Sequence, residues 1–172
     1  MDTIDTKEED RDASSEGRVH FWRVAVLMAD ANPILGVGHN AYNAAYDSYD
    51  TSKGQYGETR SVHSSWFGML SELGYPGLMI FIMSIAMAFL ACWRTRKLAA
   101  TLPDGRDLLH YSLAMECSLV AFMVGGSFVP FQYNEMMWHV LGITMALDGI
   151  VKGRLAQVSS PDVGLTDAAA VA

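Results

Sequence analysis

From Pro76 to Trp93 the chain runs eighteen residues without a charged side chain. A helix of that length just crosses the hydrocarbon core of a bilayer, so the run predicts a transmembrane helix. A second apolar run, 108–129, holds one acid, Glu116. A third, 134–151, is the least apolar, with His139 and Asp148 inside it. The competing reading is a soluble helix buried on all sides. Uncharged runs this long are rare in soluble folds, which favours the membrane. The expected fold class is therefore all-α: a polytopic membrane protein fragment with three spans (76–93, 108–129, 134–151) behind a helical loop region, residues 1–74. Residues 75–151 form the expected membrane region, and 152–172 a disordered tail.

The charges give an orientation. Arg94, Arg96, Lys97 and Arg106 follow the first span, Lys152 and Arg154 follow the third, and 130–135 has no Lys or Arg. The positive-inside rule then puts the 94–107 loop and the C-terminus in the cytoplasm, with residues 1–74 on the periplasmic side of a bacterial inner membrane. Membrane lipids are the expected surroundings. A polar, acidic stretch of this length with no signal peptide before it reads as part of a longer polytopic protein, whose further N-terminal helices would be partners. The whole chain carries 12 basic and 19 acidic residues, which argues against nucleic acid as a partner. Cys92 and Cys117 have neither metal-type spacing nor the look of a disulfide pair.

Within 1–74, residues 1–13 are so charged that an irregular segment is expected. Ser14 or Ser15 is expected to cap a helix running to Ala31, stopped by Asn32-Pro33. On that helix Arg18 falls with Trp22, Ala25, Val26 and Ala29 at the start of an apolar stripe. Stacking on Trp22, snorkelling, and bidentate binding of an anion are all open to it. Gly36-Val37-Gly38 is a tight turn whose amides could cradle phosphate, although structural turning is the default for two glycines. Tyr42, Tyr46 and Tyr49 recur at helical spacing as core or interface anchors. Residues 50–58 form a polar loop able to contact an acceptor. Then Arg60 and His63 precede a short amphipathic helix that ends at Gly74, and His63 is expected on its apolar face. An interfacial histidine and a general base are both open readings, and a helix N-terminus would help keep the ring neutral. Among the membrane residues Asp148 has Lys152 four positions on, whereas Glu116 has no local partner.

Arg18-x-x-x-Trp22, Asn32-Pro33-Ile-Leu-Gly36-Val-Gly38, His63-Ser-Ser and Glu72-Leu-Gly-Tyr-Pro-Gly77, in that order, resemble the C-terminal part of the O-antigen ligase and polymerase superfamily. The opening Met-Asp-Thr-Ile-Asp-Thr-Lys-Glu-Glu-Asp and the later Gly-Arg-Val-His-Phe-Trp resemble, more narrowly, the O-glycosylation ligases linked to exosortase systems. The resemblance implies a membrane glycosyltransferase that moves a glycan from an undecaprenyl diphosphate carrier to an acceptor hydroxyl on lipid, glycan or protein. It implies that Arg18 binds the diphosphate and His63 assists the acceptor; Arg60 is a candidate second phosphate contact without a motif match, and since arginine can neutralise the leaving diphosphate, no metal or cofactor is expected. His63-Ser64-Ser65 stands where the family often has His-Asn-Ser, and His39 follows the glycine pair where proline is common. A polymerase of the same superfamily, a non-catalytic interaction protein and a truncated, inactive product are the competing expectations.

Overall fold

No Gly or Pro interrupts the chain from Asp2 to Glu16, and the acids near its start oppose no helix dipole. The computed structural model, which describes residues 2–159 with side chains from Ser15 onward, accordingly begins helix α1 at Asp2 and carries it to Ala31. The expected start at Ser14 or Ser15 is corrected: charge density alone does not prevent a helix. Helices α2 (Tyr42–Tyr49), α3 (Ser65–Ala99), α4 (Arg106–Gly126) and α5 (Glu135–Ser159) follow, and the described residues contain no strand. The protein is all-α.

Among the described residues two helices, α3 and α4, are long and apolar enough to cross a membrane. Only 28% of the apolar window of α3 and 17% of that of α4 is buried, whereas a soluble core helix would be mostly enclosed. Met79, Ile80, Ile82 and Met83 of α3 all face outward, as lipid-facing residues do. The third expected span forms α5, which also runs beyond residue 151 to Ser159. It carries Glu135, His139, Asp148, Lys152 and Arg154 and is not among the helices apolar enough to span. The rest of the expected tail, 160–172, lies outside the described residues.

The chain forms two compact units. The first takes the residues up to Met83 together with Phe122–Asn134. Its core is one face of α1 (Phe21, Val24, Ala25, Met28), Tyr42 and Tyr46 of α2, and Val62. The spacing of three and four along α1 is that of a single helix face, and burying each large side chain contributes about 1.5–3 kcal/mol. The expected stripe from Arg18 is thus displaced by one position: Gly17 and Phe21 begin the buried face, and Arg18 is exposed at its edge. Tyr42 and Tyr46 are core, and the Tyr42 hydroxyl donates to the Phe21 carbonyl at 2.8 Å.

The amphipathic helix before the first span starts at Ser65 and breaks at Gly74, as the sequence implies. Gly74 has φ 69°, and a Cβ there would sit 2.6 Å from the Pro33 carbonyl oxygen. Tyr75 N–H donates to that same carbonyl at 3.0 Å, and Pro76 occupies the first turn of the resumed helix. The Ser65 hydroxyl donates to Val129 O (2.9 Å) and accepts from Phe131 N–H (2.8 Å), tying the 127–134 loop to the start of α3.

The second unit takes Ser84–Ala121 and the residues from Glu135 on. Ala88, Cys92 and Leu119 form one small core, and Ala99, Leu108, Leu147 and Val151 another. Glu116 is not alone here: Arg96 pairs with it at 2.6 Å. The partner lies twenty positions away on another helix, out of reach of an i,i+4 search. Lys152 and Asp148 pair at 2.5 Å within α5, as their spacing predicts.

Candidate functional site

A cavity of about 610 Å³ opens in the first unit. Gly17, Arg18 and Phe21 of α1 line it together with Gly54–Gly57, Arg60 and His63. Three candidate residues spread from 18 to 63 therefore meet at one place. Arg60 reaches it by folding over Gly57, where a Cβ would lie 2.5 Å from the guanidinium.

His63 is not on the helix. Its φ of 48° places it in the left-handed region, two residues before α3 begins at Ser65. The expectation that it sits on the helix's apolar face is corrected. Its ring still meets an aromatic surface, that of Phe21 at 6.1 Å between centroids. A non-glycine residue held this way costs about 1–3 kcal/mol and persists only when its surroundings impose it. Partial desolvation, then the positive charges of Arg18 and Arg60, lower the His63 pKa from its ordinary 6.5. The cavity thus combines two fixed cations with an imidazole kept neutral, one arrangement that can hold an anion and accept a proton.

Gly36 and Gly38 do not line this cavity. Gly36 N–H donates to Asn32 O (2.9 Å), Val37 N–H to Ser71 O (2.8 Å) and Gly38 N–H to Glu72 O (3.1 Å). All three amides are engaged by protein carbonyls, and the turn docks the 32–38 segment onto α3. Trp22 stacks on Phe67 (5.2 Å, 10° between planes), and Arg18 lines the cavity.

Reasoning from sequence missed His20, Asp50 and Tyr56. His20 Nε2 is 2.8 Å from Asp50 Oδ1, and its ring stacks on Tyr56 at 4.9 Å. Burial alone would raise the Asp50 pKa. Hydrogen bonds from the Ser52 and Gly54 amides, the Ser52 hydroxyl and His20 outweigh it and hold the carboxyl well below the usual range. Asp50 followed by Ser52 and Gly54 is a turn signal; nothing local shows that His20 meets it. A second, apolar groove of about 540 Å³ also lies on α1, lined by Val19, Trp22, Arg23, Val26, Leu27, Thr51 and Phe67.

Residues 1–82 match the family described as O-antigen ligase. No curated protein and no solved structure matches the chain.

Proposed function

We propose that this chain, whose residues 1–82 belong to the O-antigen ligase family, binds the diphosphate of an undecaprenyl-linked glycan in the Arg18–Arg60–His63 cavity and supports transfer of that glycan to an acceptor hydroxyl. The observation that carries this reading is the meeting of Arg18, Arg60 and His63 around one cavity. Arg18 and Arg60 offer charge-assisted hydrogen bonds to the diphosphate, strongest where negative charge grows on the leaving group. The acceptor oxygen attacks the anomeric carbon and the bond from that carbon to the diphosphate oxygen breaks. The acceptor proton passes to the neutral His63 ring, and the released carrier diphosphate leaves against the two cations. Attack opposite the leaving group inverts the anomeric centre.

Polar cavity and apolar groove share α1, which suits a donor with a charged head and a hydrocarbon tail. The cationic 94–106 segment supports an orientation with the cavity on the periplasmic side and the C-terminus in the cytoplasm. The opening segment's likeness to the exosortase-linked group makes a protein hydroxyl an acceptor to assay beside lipid and glycan.

The test is His63→Ala, compared with the unsubstituted protein at equal expression in the membranes of cells that make it. Glycan transfer falls about 100-fold or more if His63 takes the proton. Unchanged transfer would remove it from the mechanism.

A further inference from the structure

We propose that His20 and Asp50 are a positioning pair, a clamp that fixes the 50–60 segment to α1 and so sets how Tyr56 and Arg60 face Arg18 and His63. This rests on the reading of that cavity as the donor site. The cavity is half helix and half loop, and a loop holds a binding group in place only if something holds the loop. One imidazole does this at two points. Its Nε2 meets Asp50 Oδ1 at 2.8 Å where the loop begins, and its face stacks on Tyr56, itself a cavity wall, six residues later. His20 and Asp50 are nearly enclosed, with side chains 11% and 8% exposed.

Asp50 carries the grip into the loop. Its Oδ1 accepts from Ser52 N–H (2.8 Å), and its Oδ2 accepts from the Ser52 hydroxyl (3.0 Å) and from Gly54 N–H (2.8 Å). Gly54 is the first loop residue to line the cavity. Thr59 N–H donates to Asp47 of α2 at 3.1 Å, tying down the far end next to Arg60. The edges of Phe21 and Tyr46 flank the His20 ring at 6.0 and 6.3 Å, so it has a fixed seat. Neither His20 nor Asp50 lines the donor cavity; they act through Gly54, Tyr56 and Arg60.

The experiment uses the purified full chain in detergent. It measures hydrogen exchange over 50–60 and over 65–83, and titrates farnesyl diphosphate, with inorganic pyrophosphate alongside to separate head from tail. In His20→Ala and Asp50→Ala, exchange over 50–60 rises about ten-fold, 65–83 is unchanged, and farnesyl diphosphate binds about ten-fold more weakly. The double variant loses less than the sum of the two single losses, since both singles remove the shared His20–Asp50 contact. His20→Gln, which keeps a donor, recovers part of the loop protection. If alanine variants exchange faster everywhere, His20→Gln and Asp50→Asn decide by the same two readings. Unaltered exchange over 50–60 overturns the clamp whatever binding does. Faster loop exchange with full diphosphate affinity overturns its role in the site. Faster loop exchange when the unsubstituted chain binds neither diphosphate leaves the clamp standing and defeats the donor-site reading instead.

Discussion

The two units use polar side chains differently. In the first, the polar contacts that matter reach far along the chain: His20 to Asp50, Tyr42 N–H to Glu72, Ser65 to Val129 and Phe131. In the second, most close on themselves. Lys152 meets Asp148, His139 Nδ1 meets the Glu135 carbonyl at 2.7 Å, and the hydroxyls of Ser118 and Thr144 return to carbonyls four residues back. A helix in lipid has to satisfy its polar groups within itself or with a neighbouring helix, and Arg96–Glu116 is the one ion pair between helices among the described residues of this unit. Long-range polar contacts are what gather functional groups from distant positions, and the first unit uses them around a charged cavity.

Substitutions should separate the units. Replacing both arginines, Arg18→Ala with Arg60→Ala, removes the cavity's positive charge and should lower glycan transfer by more than about 100-fold, since one charge-stabilising donor in such a site is worth roughly that much. Arg18→Lys keeps charge but loses the planar fork and should fall between the double variant and the unsubstituted protein. Equal transfer by the Lys and Arg forms would reduce Arg18 to a point charge. At the other end of the scale, Glu116→Gln in the second unit breaks a partly exposed ion pair. It should lower thermal stability by about 1 kcal/mol or less and leave transfer unchanged. A large loss of transfer from Glu116→Gln would erase the distinction between the units.

Local pattern carried some of this and not the rest. The uncharged run before Trp93, the break at Gly74 with Pro76 after it, the tyrosine stripe of α2 and the Lys152–Asp148 pair are legible because each depends on neighbours within a helical turn or two. Arg18 and His63 stood out by residue type and family resemblance, but their meeting, and the place of Arg60 beside them, needed the fold. The helical state of residues 2–14 was hidden by charge, which weakens a helix only where like charges or a wrong dipole end oppose it. The docking of Gly36–Gly38 onto α3, the Arg96–Glu116 pair and the His20–Asp50 contact each join segments at least twenty residues apart, and no periodicity records such a pairing. His63 in a left-handed backbone could not be foreseen either, because that conformation is imposed by the segments on both sides of it.

The central claim is that Arg18, Arg60 and His63 form one site, and titration of the His63 imidazole by nuclear magnetic resonance in the full chain tests it most directly. Partial burial first, and then each arginine, disfavours the protonated ring, so the midpoint of the unsubstituted protein should lie below 6.5. Arg18→Gln and Arg60→Gln should each move it upward, the double variant furthest, and added pyrophosphate should move the unsubstituted protein in the same direction by neutralising both cations. The acidic limb of glycan transfer, which follows the neutral form of His63, should shift with it. A midpoint at the ordinary imidazole value that ignores both substitutions would contradict the account.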